Sequence, residues 1–136
     1  MFMKGLSAEV VFCFISSIAA IAAVVVAYSN NKKQMQISMF AECTRRYQEI
    51  MLHIRQREQD KLYYQTLYID LCSEEFFLYK EGFLPKSVWA IWKDGMTHEV
   101  KDDMSYKFLW ERDKKNYNPQ FQDFFNEIIT NNSKHI

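Results

Sequence analysis

Asp70, Glu74 and Glu75 are the first residues whose types and spacing could do chemistry. Asp70 and Glu74 stand four apart, so on a helix they share one face. Paired carboxylates can hold a divalent metal or divide the roles of acid and base. The same pair can bond Arg45, Arg46 or an indole N–H on a neighbouring helix and fix the packing register. No His or other ligand recurs at a matching helical spacing, so the structural role is the stronger reading.

The remaining reactive residue types add little. His98-Glu99 opens like a zinc-protease motif, but Asp102 stands where the second histidine ligand belongs. His98 therefore reads as a solvated side chain, and His53 and His135 lie far from it. Cys13, Cys43 and Cys72 are odd in number and widely spaced, giving neither a disulfide framework nor a zinc site. They read as small buried hydrophobes in a reducing compartment. Gly5, Gly82 and Gly95 are the only glycines and form no phosphate loop, and no serine sits in a nucleophile elbow. The chain is expected to carry no catalytic residue, no cofactor and no metal.

The elements that position these residues follow from composition. A chain of 136 residues has room for one domain. Seventeen Lys+Arg balance seventeen Asp+Glu, and all but Lys4 and Glu9 lie beyond Ser29. A neutral polar part argues against nucleic acid, which needs a basic surface, and against an acidic disordered tail. All three Trp and most Phe and Tyr also lie beyond Ser29, which favours a folded domain over a linker.

Val10 to Tyr28 contains no charged residue. As a helix it would cover about 28 Å, close to the hydrocarbon thickness of a bilayer. Val25-Val26-Ala27 offers a signal-peptide cleavage site, with Lys4 as a weak n-region. The run is nevertheless longer than a usual signal core and is followed at once by Lys32 and Lys33, which favours an uncleaved anchor. Lys4 is offset by Glu9 before the span, whereas Lys32, Lys33, Arg45 and Arg46 follow it. This asymmetry predicts a single-pass protein of the inner (plasma) membrane with its N-terminus outside and its C-terminal part in the cytosol. Ser16, Ala19, Ala20, Ala23 and Ala27 form a small-residue face suited to self-association within the bilayer.

The predicted fold is all-α: a transmembrane helix continuing into a small cytosolic helical bundle. Residues 1–30 form the anchor, 31–130 the cytosolic domain and 131–136 a frayed tail. Phe40, Cys43, Tyr47, Ile50, Met51 and Ile54 recur at three and four, so span and first cytosolic helix read as one rod from about Glu9 to Arg57. After a turn at Arg57–Lys61, Asp60 is the expected N-cap of a second helix carrying Tyr64, Leu67, Tyr68, Leu71, Cys72 and Tyr79 and closed by Gly82. Pro85 is expected to open a third at its first position, with Val88, Trp89, Ile91 and Trp92 inward. Gly95 is expected to interrupt or end it, unless the helix persists to Val100. Met104, Phe108, Leu109 and Trp110 suggest a short fourth helix. Asn118-Pro119 starts a last one bearing Phe121, Phe124, Phe125, Ile128 and Ile129.

Phe40 with Arg46-Tyr47-x-Glu49-Ile50-Met51, the run Asp70-Leu71-Cys72-Ser73-Glu74-Glu75-Phe76-Phe77-Leu78-Tyr79, and Gly82-Phe83-Leu84-Pro85-x-x-Val88-Trp89-x-x-Trp92-x-x-Gly95, with later Trp110 and Phe121, form an ordered pattern over roughly residues 8 to 130. It resembles a group of bacterial proteins with one N-terminal span and a short cytosolic helical domain, some described as phage abortive-infection proteins. The resemblance implies the anchor-plus-helices layout and a setting in anti-phage defence; with no catalytic signature in the chain, the expected function is a non-enzymatic interaction or sensing module. It transfers no catalytic residue. The expected partners are the lipid bilayer, a second copy through the span and an unidentified protein. Tyr47, Glu49, Asp70, Glu74, Tyr79, Trp89 and Trp92 are the interaction candidates, as packing or surface contacts. The alternatives are a membrane-tethered metal-dependent hydrolase using Asp70, Glu74 and Glu75, and a pore-forming effector assembled through the span.

Overall fold

The uncharged run of the sequence satisfies its backbone polar groups within itself, as a helix does in any apolar surrounding. In the computed structural model, which describes residues 7–56 and 58–132, it belongs to helix α1, Ala8–Gln56. The Ser7 hydroxyl lies 3.4 Å from the Val10 N–H and helps cap its start. α1 contains one stretch long and apolar enough to cross a membrane, and its side chains from Val10 to Val26 are exposed. The stretch expected to be helical from Glu9 is assigned as one helix as far as Gln56, and Arg57 lies outside the described residues. So do Lys4, His135 and positions 133–136 of the expected tail, whereas Thr130 to Asn132 are helical.

The chain divides into two compact units, 1–37 and 38–136. Along α1 the first buried side chain is Cys43. Residues 31–37 follow the apolar run as continuing helix.

The second unit holds the rest of α1 and four more helices: α2, Lys61–Lys80; α3, Lys86–Lys101; α4, Ser105–Asp113; and α5, Pro119–Asn132. The described residues include no strand. One 3₁₀ turn, Glu58–Asp60, precedes α2 and another, Lys114–Asn116, follows α4. Asp60 occupies the cap position of α2 but makes no side-chain capping bond. The other end of α2 forms as expected: Gly82 adopts φ +80°, and the N–H groups of Gly82 and Phe83 bond the carbonyls of Tyr79 and Leu78 at 3.1 and 2.8 Å. These are the paired bonds of a Schellman motif, which a side chain at Gly82 would strain.

Two expectations about α3 are corrected. Pro85 is its N-cap, extended at ψ 148°, rather than its first helical residue. Gly95 neither interrupts nor ends the helix, which runs on to Lys101 because Met96 and Val100 are buried against its neighbours. Tertiary packing overrides the weak helix propensity of one glycine. α5 starts as expected, with the Asn118 side chain accepting from the Gln120 N–H at 2.9 Å.

α2 is central, buried on most sides through Gln65, Tyr68, Ile69, Leu71, Cys72, Glu75 and Phe76. Phe76 packs against Trp89 of α3 and against Phe121 and Phe124 of α5. Trp110 of α4 meets Phe121 and Phe125 edge-on and donates its indole N–H to Asn126 Oδ1 at 2.7 Å. Large aromatic areas removed from water supply most of the cohesion here. Some expected core positions face solvent instead. Ile91, Met104 and Phe108 are 71%, 66% and 60% exposed, while Tyr106, absent from the expected stripe, is fully buried.

Candidate functional site

Five residues of α1 at helical spacing, Phe40, Cys43, Thr44, Tyr47 and Gln48, face one cleft. Tyr68 and Glu75, two turns apart on α2, form its floor, and Ile91, Trp92 and Gly95 of α3 close the far side. The volume is about 350 Å³. Phe40 stacks on Trp92 with ring centroids 5.5 Å apart, and Tyr47 leans on Tyr68 at 6.1 Å. Those contacts join α1 to α3 and α1 to α2 on either side of the opening. A Cβ at Gly95 would meet nothing within 4 Å, so no close approach demands glycine there. Its effect is to keep that side of the cleft low.

Glu75 sets the electrostatics. It is 7% exposed, and among the described residues no side chain hydrogen-bonds or ion-pairs with its carboxylate. Burial pushes its carboxyl up to about 8, with Arg46 opposing the shift and Glu74 adding to it. Burial, reinforced by Glu75, pushes the Cys43 thiol up to about 11, which keeps it protonated and a poor nucleophile at neutral pH. The Tyr47 and Tyr68 phenols are also raised, chiefly by burial.

The other two acidic candidates are engaged elsewhere. Asp70 accepts the Tyr117 hydroxyl at 2.6 Å. Glu74 takes both terminal nitrogens of Arg46, the cross-helix bond anticipated for it. The three carboxylates therefore have three different environments. Among the described residues, no three His, Cys, Asp or Glu side chains gather as metal ligands. A hydrolytic centre built on all three would need a convergence that this geometry does not provide.

The remaining candidates make contacts away from the cleft. Glu49 bonds Arg45 on the exposed side of α1 at 3.1 Å, and Arg45 also holds Glu42. Tyr79 stacks on Trp89 at 4.9 Å, with Trp89 buried between it and α5. Only Tyr47 and Trp92 of the interaction candidates line the cleft. Ser16, Ala19, Ala20, Ala23 and Ala27 are exposed on α1. His98 is exposed, with Nδ1 2.8 Å from the Asp94 carbonyl oxygen, and His53 stacks on Tyr64.

Sequence reasoning groups Glu75 with its acidic neighbours and misses its isolation. A signal is present: Glu75 continues the apolar spacing Tyr68, Leu71, Cys72, so it falls on the buried face while Glu74 does not. Spacing alone puts Phe40, Cys43 and Ile91 in the core, although Phe40 and Ile91 border the cleft from exposed positions.

No protein-family model, curated protein or solved structure matches this chain. The resemblance drawn from its motifs rests on those residues alone.

Proposed function

We propose that this chain is a membrane-anchored, non-enzymatic recognition or sensing module whose helical unit receives a chemical group in the α1–α2–α3 cleft. One observation carries the reading: Glu75 is buried at the floor of an aromatic cleft with no partner from its own chain among the described residues. Burial favours the neutral form of such a carboxyl, so a group that bonds it or brings a positive charge gains from meeting it. Engaged carboxylates such as Asp70 and Glu74 hold the fold together, whereas an unengaged one is available to a ligand.

The long apolar helix supports the anchor, and the Lys and Arg that follow it support cytosolic placement of the helical unit. The motif resemblance supports a setting in bacterial anti-phage defence. In that role the helical unit would detect a trigger, and the small-residue face of the span would assemble copies in the membrane.

Photocrosslinking in native membranes tests the recognition step. A photoreactive residue in place of Ile91, which is exposed at the cleft edge, should give a discrete adduct. The adduct should disappear when Gly95→Leu fills the cleft, with thermal unfolding confirming that the variant remains folded. Adducts indifferent to Gly95→Leu would overturn the proposal. The membrane assignment is checked separately: the full chain should remain in the pellet after alkaline carbonate extraction.

A further inference from the structure

We infer that the cleft binds an alkylammonium cation, with Glu75 as counter-ion and Phe40, Tyr47 and Trp92 as the aromatic wall. This inference rests on the preceding reading that the cleft is a recognition site, and it names the chemistry of what enters.

Charge narrows the choice first. Glu75 is the one acidic or basic side chain lining the cleft, held largely as the neutral acid at neutral pH; the other nine are aromatic, aliphatic, polar uncharged, cysteine or glycine. An anion would find no basic side chain in the lining. A neutral apolar ligand would cover the Glu75 carboxyl and give it no hydrogen bond in return. A cation would draw Glu75 into its ionised form and pair with it.

Arg46, the cation whose charge reaches Glu75, is already engaged, and so is its neighbour Arg45. Arg46 is bound through both terminal nitrogens to Glu74, and Arg45 lies between Glu42 and Glu49 on the exposed side of α1.

The walls select among cations. Ring faces attract ammonium groups, and several rings around one carboxylate form the usual environment for alkylated ammonium ions. A guanidinium is better served by a planar, bidentate arrangement with further acceptors. The side-chain oxygens of Thr44 and Gln48 provide limited additional hydrogen bonding at the cleft wall. A volume of about 350 Å³ lies at the small end of ligand sites and suits a compact head group. Such a group can belong to a free amine or to a lysine side chain of a partner protein, and the two sources are separable by experiment.

The test is calorimetric titration of the full chain in nanodiscs of phosphatidylglycerol, a lipid without an ammonium group. Choline and butylammonium represent free cations, Nα-acetyl-lysine amide represents a peptide side chain, and 3,3-dimethylbutan-1-ol is the neutral isostere of choline. At least one cation should bind about tenfold tighter than the alcohol, and Glu75→Gln should weaken that cation about tenfold while leaving the alcohol unchanged. Trp92→Leu should weaken it several-fold. Preference for the lysine amide assigns the group to a protein partner, and preference for choline or butylammonium assigns it to a free amine.

Equal binding of choline and the alcohol overturns the inference, as does cation binding indifferent to Glu75→Gln. Absence of heat from all three cations up to about 10 mM overturns it as well. Unfolding midpoints separate loss of binding from loss of fold, and Trp92→Leu provides a second variant should Glu75→Gln fold poorly. If cation preference fails while the Ile91 adduct remains sensitive to Gly95→Leu, only the ligand class is wrong. Loss of both removes the recognition site itself.

Discussion

Tyr117 donates its hydroxyl to Asp70 at 2.6 Å, joining the connection between α4 and α5 to the middle of α2 across 47 positions of sequence. Burial, reinforced by the nearby Asp70 charge, pushes the phenol above its ordinary range, so it stays a donor throughout the physiological pH range. The bond removes Asp70 from any shared acidic site and makes it a fastening point. Tyr117→Phe should lower stability by about 1–3 kcal/mol, the usual cost of deleting a hydrogen bond to a charged group. Asp70→Asn should cost less, because an amide oxygen can still accept the bond. In a double-mutant cycle with Asp70→Ala, the combined loss should fall short of the sum of the single losses. Thermal unfolding of the full chain in detergent measures this, and strict additivity would show that the bond contributes nothing.

The glycine within α3 leads to a prediction of opposite sign. Gly95 is helical, sits in the interior of α3, and has open space where a Cβ would go. Glycine there leaves the unfolded chain excess freedom and provides no contact in return. Gly95→Ala should therefore stabilise the protein by about 0.5–1 kcal/mol. Gly82, at φ +80°, responds in the other direction: Gly82→Ala should destabilise by about 1 kcal/mol, although it too has open space for a Cβ. The pair separates backbone strain from steric room. Equal effects at the two positions would contradict the conformational explanation.

Much of this is legible from spacing. Apolar periodicity locates the helices, Gly82 marks the end of α2, and Asn118-Pro119 marks the start of α5, because caps and breakers act locally on the backbone. The persistence of α3 through Gly95 is less accessible, since it depends on Met96 and Val100 finding buried places against other helices. The burial of Tyr106 has a similar cause: its hydroxyl reaches Glu99 at 2.9 Å on the preceding helix, a pairing invisible within α4. At the candidate site, the sequence indicates carboxylates near α2 but not their separation. Asp70, Glu74 and Glu75 are divided by partners on other elements, Tyr117 and Arg46, and by the lack of one. Periodicity gives each residue a face; the neighbour across that face is a tertiary fact.

Acid should weaken the contact between the start of α2 and the α3–α4 connection. Gln65 is fully buried and donates to Asp103 at 3.0 Å, and its side-chain oxygen lies 2.8 Å from the Ser105 hydroxyl. Burial alone would push the Asp103 carboxyl up, but Lys61, 2.5 Å away, and bonds from Ser105 together outweigh it and bring the carboxyl to about 2. The unfolded chain, with the ordinary value of 3.8, takes up its proton first as pH falls. The stabilisation is therefore complete above about pH 5 and is lost between about pH 4 and pH 2. Asp103→Asn should unfold more easily than wild type at neutral pH and approach it near pH 2. A constant difference across that range would show that the charge is not responsible.

Glu75 should impose the opposite trend. Its ordinary carboxyl value is 4.5 and its folded value about 8, so between them the folded protein holds a proton that the unfolded chain has released. Stability must then fall as pH rises from about 5 to about 8, and level off above. The charges that influence Glu75 directly are Arg46 on α1 and Glu74 on its own helix; Cys43 and Tyr47 face it from α1, Tyr68 and Cys72 from α2, and Glu99 of α3 lies near Tyr47 and Cys72. All but Arg46 either oppose a charge on Glu75 or remain neutral below pH 8. Glu75→Gln should be close to wild type at about pH 5 and more stable by a few kcal/mol at about pH 9. The slope also connects stability to binding. A cation in the cleft favours the ionised carboxylate, so near pH 7 its arrival should release up to one proton. Calorimetry in buffers of different ionisation enthalpy would detect that release, and Glu75→Gln should abolish it. Wild-type binding without proton release would mean that the cation does not reach Glu75.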